Sequence, residues 1–193
     1  MRMPWPFGLH FLVFAGHALV GPFFVVYYQN LGFSGTQIGL TPLITLIGAP
    51  LWTRLADRTL KHRWIIGLAL VVGVAALSAF PLLRAFVPIL ALAVLLSVFM
   101  SCVMPFTDGA AMHMLGERKE LYGRLRLGGT IGCGLAAAIT GALVQAHGLE
   151  FTFRICAGLF LLALFVSRRL VYAPSRTDNP PSGGFRQLLS GPR

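Results

Sequence analysis

From Met3 to Thr53 the chain carries no Asp, Glu, Lys or Arg, and further uncharged runs span Trp64 to Leu83, Ala85 to Thr107 and Leu127 to Leu149. A soluble domain cannot cover its surface with so few charges, whereas about 20 apolar residues of helix are what a bilayer crossing requires. With 56% hydrophobic and 11% charged residues among 193, the natural solvent of this chain is lipid. The bilayer is therefore its first expected partner.

The few charges are ordered along the chain. Of the 16 Lys and Arg, Arg2 precedes the first run, Arg54, Arg58, Lys61 and Arg63 border one loop, Arg118, Lys119, Arg124 and Arg126 border another, and Arg168, Arg169, Arg176, Arg186 and Arg193 follow the last apolar segment. Arg84 and Arg154 alone fall on the other side, a split of 14 to 2. By the positive-inside rule this predicts cytoplasmic termini. Topology thus accounts for the net charge of +10, and a nucleic-acid partner is not expected. The first apolar run is about twice the length of a signal core, and no small-x-small site closes it, so it reads as a membrane helix.

Spacing and turn residues predict an all-α membrane protein with six transmembrane helices in one bundle over residues 1–170. The spans cover about 7–28, 37–55, 64–83, 86–115, 122–145 and 151–166. The first carries Gly21-Pro22 and the second Pro42 and Pro50, which membrane helices accept because neighbours satisfy the freed carbonyls. The fourth is long enough to need tilt or to project into water. Residues 171–193, with Pro174, Pro180-Pro181 and Gly183-Gly184, read as a cytoplasmic linker or tail, ending as though a second domain should follow.

Two polar groupings stand out. Thr53-Arg54-Leu55-Ala56-Asp57-Arg58-Thr59-Leu60-Lys61-His62-Arg63 lies between the second and third spans. There Asp57 can pair with charges at neighbouring helix ends, while Arg58, Lys61 and Arg63 face the cytoplasm, making a charge latch for one conformation. Asp108 and Arg126 flank the next basic loop, ten residues before and eight residues after Arg118. In an antiparallel hairpin both lie about 12 to 15 Å in, at 1.5 Å per residue, so they are expected to meet. A carboxylate at that depth costs several kcal/mol unless paired or facing a watery cavity, which marks the pair as a functional site.

The loop motif resembles the signature of the major facilitator superfamily, with Thr53 and Leu60 in place of its two glycines. Pro105-Phe106-Thr107-Asp108, followed by Tyr122-Gly123-Arg124-Leu125-Arg126, resembles the lactose permease branch and its phenylpropionate and nucleoside symporter relatives. Gly21-Pro22-Phe23-Phe24 before Tyr27 adds to the likeness. The resemblance covers half of that family's twelve helices. It implies a transporter bundle, with a three-plus-three inverted repeat compatible with the six spans, although the halves show no convincing identity. It implies a small-molecule solute bound at the midplane by Asp108 and Arg126, and proton coupling through residues of a second bundle. Cys133 stands where the branch has a sugar-stacking tryptophan, which argues against a galactoside.

The expectation is therefore the amino-terminal half of a proton-coupled transporter for a small polar or organic-acid solute, in a plasma membrane of bacterial inner-membrane type. Its partner is a second six-helix bundle: the missing half, another copy or a foreign subunit. The competing expectation is a transport-inactive half that serves a larger membrane complex as a structural subunit. An enzyme is not expected, for no nucleophile, base and oxyanion set is apparent, and no cofactor or metal is implied. Cys102, Cys133 and Cys156 lack ligand spacing and read as small hydrophobes.

Among weaker features, His17 could face the same cavity as Asp108 or bond to a neighbouring helix. His113 reads as a cytoplasmic-rim residue. Gly128-x-x-x-Gly132 reads as a close-packing surface, and Glu150 with Arg154 as a local i,i+4 pair.

Overall fold

The computed structural model describes residues 4–59 and 61–169, leaving aside the side chains of Pro4, residues 40–47 and Asp57. The expected tail, 171–193, lies outside the described residues. Among the described residues there are seven α-helices: α1 (Pro4–Asn30), α2 (Gly35–Thr59), α3 (His62–Ala79), α4 (Phe86–Met100), α5 (Val103–Leu115), α6 (Tyr122–His147) and α7 (Phe151–Ser167). Short 3-10 turns at Phe80–Leu82 and Lys119–Leu121 extend α3 and introduce α6.

The fourth span differs from its expected form, since 86–115 is two helices rather than one. Pro105 has no N–H to offer the Ser101 carbonyl four residues back, and its ring crowds that carbonyl, so the ladder opens at Ser101–Cys102 and restarts at Val103. Pro105 then sits in the first turn of α5, where a missing donor is harmless. Side chains seal the break: the Val98 carbonyl accepts from the Trp52 indole at 2.8 Å and from the Ser101 hydroxyl at 2.6 Å. In hydrocarbon such pairing is obligatory.

The turn between α1 and α2 shows how sequence ends and starts a helix. Gly32 has φ +81, its N–H donates to the Gln29 carbonyl at 2.9 Å, and the Phe33 N–H donates to Tyr28 at 3.0 Å. That is the Schellman pattern with glycine in its left-handed position. The apolar contact that accompanies it is Phe33 stacked on Tyr28, centroids 5.4 Å apart and 5° from parallel. Ser34 and Gln37 then form a capping box: the Ser34 N–H donates to Gln37 Oε1 at 2.8 Å, and the Gln37 N–H to Ser34 Oγ at 3.4 Å. Helix α2 therefore starts two residues before its expected beginning.

Helix α1 is the central post, packing along α6 and α7, while α3 packs on α7 and α4, and α2 on α4. Near one end Phe24, Tyr27, Phe80 and Phe153 interlock, with Tyr27 and Phe153 centroids 4.7 Å apart and the Tyr27 hydroxyl donating to the Phe80 carbonyl at 3.3 Å. The α1–α6 contact rests on Gly128, Gly129 and Gly132, all buried. A Cβ on Gly129 would lie 2.8 Å from the Phe14 ring, and one on Gly132 would lie 2.5 Å from the Phe11 carbonyl oxygen. The expected close-packing surface is thus the seat for α1.

Among the described residues four segments are long and apolar enough to cross a membrane: Trp5–Asn30, His62–Leu82, Phe86–Leu115 and Lys119–His147. Helix α7, at 17 residues, is a shorter apolar helix. Helix α2, at 25 residues, carries Arg54, Asp57 and Arg58 in its last turns.

Candidate functional site

Three helices meet around His10, two turns into α1. The ring is completely buried and bonded at both nitrogens: Nδ1 lies 3.1 Å from the Pro6 carbonyl oxygen, and Nε2 lies 3.0 Å from Asp108 Oδ1 on α5. Asp108 keeps 35% of its side chain exposed, so one edge of the pair is sealed and the other open. Phe14 stacks against the imidazole at 5.9 Å, and Tyr122 of α6 meets it edge-on at 6.3 Å. The Tyr122 phenol interacts through its side chain with both Asp108 and Arg126, and Arg126 also acts electrostatically on Asp108. Arg126 itself is exposed.

Asp108 and Arg126 are thus brought to one site, with a difference in detail from the expected pairing. Among the described residues the direct ionic partner of Asp108 is His10, and Arg126 stands beside the pair with Tyr122 in contact with both. His10 and Tyr122 were not read from the sequence as site residues. Tyr122 precedes Arg126 by four residues and so shares its helix face, the one local signal that could have nominated it. His10 had no comparable signal beyond being a histidine in an uncharged helix.

His17 lies elsewhere. It is two turns further along α1, donates from Nδ1 to the Val13 carbonyl at 3.0 Å and meets Phe160 edge-on at 5.8 Å. It lines a separate cavity of about 540 Å³ with Val20, Phe24, Tyr28, Ser97 and Met100, and neither Asp108 nor Arg126 lines it. His113 is exposed near the end of α5.

Of the latch residues, Arg63 donates to the Arg168 carbonyl at 2.8 Å, tying the start of α3 to the end of α7. Arg58 and Lys61 are exposed, and the Asp57 side chain lies outside the described residues. Arg169 sits 5.8 Å over the Trp5 ring, so this end of the bundle is laced by arginines. At the other end the expected Glu150–Arg154 pair is replaced. Glu150 meets Arg84 across two loops at 3.6 Å, because it stands before the first turn of α7 and faces the neighbouring loop. Among the described residues no three His, Cys, Asp or Glu side chains gather as a metal site.

Ionisable residues among apolar helices long enough to cross a membrane mark a functional site by default. The chain matches the MFS_1 like family over residues 7–180 and belongs to it, within the major facilitator superfamily of membrane transporters. It is accordingly an integral membrane protein. It is 30% identical to a maltose permease of Geobacillus stearothermophilus, over 94% of this chain and 47% of that protein. It is 29% identical to the multidrug resistance protein MdtG of Escherichia coli, over 81% and 41%. A crystal structure of the nucleoside transporter NupG superposes with TM-score 0.76 at 18% identity, over 95% of this chain and 48% of that one. The chain spans about half the length of the relatives it matches.

Proposed function

We propose that this chain is the six-span amino-terminal bundle of a proton-coupled secondary transporter for a small polar or organic-acid solute. It resides in a bacterial inner membrane with both termini cytoplasmic. The observation that carries this reading is the opening of the His10, Asp108, Tyr122 and Arg126 cluster onto the outside of the bundle, with Arg126 exposed. Lipid is an unfavourable cover for a guanidinium at helix depth, so a second bundle is its natural partner, and solute binds between the two. Arg126 contributes fixed hydrogen bonds to hydroxyl or carboxylate oxygens, and Asp108 orients it. In this reading the four long apolar segments among the described residues are joined by α2 and the 17-residue α7 as the fifth and sixth crossings. At 1.5 Å per residue, the 25 residues of α2 reach about 37 Å and those of α7 about 25 Å.

The latch reading of the α2–α3 loop belongs to the same proposal: Asp57, Arg58, Lys61 and Arg63 hold the cytoplasmic ends in one conformation. His17 is proposed as a polar wall residue of the neighbouring cavity rather than a contact of the Arg126 site.

The test is proteoliposome uptake under an inward proton gradient, with radiolabelled maltose, uridine and short organic acids as the panel. The chain joined to a second six-helix bundle should accumulate one of these solutes, and Arg126→Ala should remove that uptake. The chain alone should accumulate none. Robust uptake by the lone 20.9 kDa monomer, or unchanged uptake by Arg126→Ala, would overturn the reading. Copurification with an unrelated complex and no uptake in any arrangement would favour a structural subunit instead.

A further inference from the structure

Trp64, in the first turn of α3, is 79% exposed, and Leu68 and Val71 follow it along the same helix face at 50% and 49%. Positions i, i+4 and i+7 make one stripe, so this edge of α3 turns apolar surface outward. Beside the stripe Gly67 has no side chain, and a Cβ there would still lie 4.0 Å from Leu164 Cδ1 of α7. The space left is a groove of about 580 Å³ between α3 and α7, lined by these apolar residues and, where α3 begins and α7 ends, by Arg63 and Arg168. Arg63 donates from Nη2 to the Arg168 carbonyl at 2.8 Å. That carbonyl is one that a helix end leaves without an intrahelical partner, so the bond holds both arginines at one level of the bundle. Most of the Arg63 donors remain, and neither guanidinium has a carboxylate partner among the described residues.

Two guanidiniums at the head of a strip of hydrocarbon surface match an amphiphile with an anionic head. His62–Leu82 is long and apolar enough to cross a membrane, which sets Arg63 and Trp64 at its boundary, the level at which indoles and arginines meet headgroups. From Trp64 to the exposed Ala75 the face of α3 descends about 16 Å at 1.5 Å per residue, close to the roughly 15 Å of hydrocarbon in one leaflet. A second copy of this chain is a poor occupant, because a two-fold contact through this face would set Arg63 and Arg168 against their own counterparts.

We propose that the groove between α3 and α7 binds one anionic phospholipid of the leaflet that this end of the bundle faces, its phosphate held by Arg63 and Arg168 and one acyl chain laid along Gly67, Leu68 and Val71. Arginine suits the task because its planar fork meets two phosphate oxygens at once. The lipid bridges the start of α3 and the end of α7, reinforcing the tie that the Arg63 bond already makes there. Neither Asp108 nor Arg126 takes part, so the inference does not depend on which solute the chain moves, or on whether it moves one.

The experiment is quenching of tryptophan fluorescence by lipids brominated along the acyl chain, with the full chain in nanodiscs of phosphatidylcholine. Trp64→Phe is measured in parallel, and the difference isolates Trp64 from Trp5 and Trp52. Brominated phosphatidylglycerol should quench Trp64 at low mole fraction and saturate, whereas brominated phosphatidylcholine should quench only in proportion to its share of the bilayer. Arg168→Gln should weaken the preference for phosphatidylglycerol about fivefold, the worth of one basic residue near an anionic surface. That variant is decisive because Arg63 bonds to the backbone of Arg168, so the tie between the helices survives it. Gly67→Leu fills the groove, leaves both arginines in place and should remove the saturable phase. Equal curves for the two lipids in the native chain would overturn the proposal. So would a preference untouched by Arg168→Gln, or a saturable phase that survives Gly67→Leu. Inorganic phosphate at millimolar concentration should leave the quenching in place; full reversal would mean a site for a free anion and would overturn the lipid reading. Quenching that disappears when two chains share a disc would mean that a second copy takes this face, and would overturn it as well.

Discussion

Adding a single methyl group at Gly132 tests whether α1 is seated on the glycines of α6. An alanine Cβ there would lie 2.5 Å from the Phe11 carbonyl oxygen and 3.1 Å from two atoms of its ring. The ring could swing away, but the carbonyl belongs to the backbone of α1, so the helix itself must retreat. Overpacking of this kind costs about 1–3 kcal/mol. Against it stands the better helix propensity of alanine, worth about 0.8–1 kcal/mol over glycine. Gly134, two residues on, has nothing within 4 Å of its virtual Cβ and is exposed, so it receives the propensity gain without the clash. The two substitutions should therefore differ by about 1–3 kcal/mol, with opposite signs relative to the native chain in all but the mildest case. For a chain of this size about 2–4 °C of Tm accompanies each kcal/mol, so thermal melts in one detergent should separate Gly132→Ala from Gly134→Ala by several degrees. Identical melting of the two variants would refute the claim that α1 and α6 touch through backbone at this point.

Ser34→Ala removes one half of the capping box and should cost about 1 kcal/mol, read as a lower Tm, while Ser34→Asp should retain most of the stability. Trp52→Phe keeps the ring but loses the indole donor to Val98 at the α4–α5 break, and about 1–3 kcal/mol should go with it as that carbonyl loses a partner in an apolar setting. Smaller loss than in Trp52→Ala would be seen in the same melts, and no loss in either would argue that the Ser101 hydroxyl suffices. Reporter fusions at Asn30, Arg84 and Gly148 should read periplasmic, and a cytoplasmic signal at any one of them would break the assignment of six crossings.

What could be read in the sequence was what lipid enforces locally. The uncharged runs became helices because a bilayer leaves the backbone no other way to satisfy itself, and Gly32, Gly116 and Gly148 end three of them with positive φ. Apolar content gave no warning of the break at Ser101–Cys102, since Phe86–Leu115 is apolar throughout; the warning was Pro105, whose effect falls four residues upstream. Ser34 and Gln37 were an available start signal for α2, which begins two residues before the expected position. Asp108 announced itself because a lone carboxylate in hydrocarbon must be accounted for. Its partner did not, because the nearest opposite charge in a hairpin is Arg126, and the helix that supplies His10 lies 98 residues away in the chain. Glu150 misled for the same reason: the i,i+4 neighbour was visible, whereas Arg84 became a neighbour only once α3, α4 and α7 had packed.

The glycines and the charges, which read in the sequence as separate features, are one device in the fold. Gly128, Gly129 and Gly132 admit Phe7, Phe14 and Phe11 in turn, and that approach sets the height and distance at which His10 confronts α5 and α6. At 3.0 Å from Asp108 and 6.3 Å from the centre of the Tyr122 ring, His10 has little room to lose. A hydrogen bond stretched to about 3.6 Å is no longer one, so a retreat of α1 by well under 1 Å along that direction would disconnect the imidazole from the carboxylate. The small-residue face of α6 is consequently part of the site's chemistry as well as its packing. A side chain at Gly132 should part His10 from Asp108 before it disturbs the presence of the helices themselves.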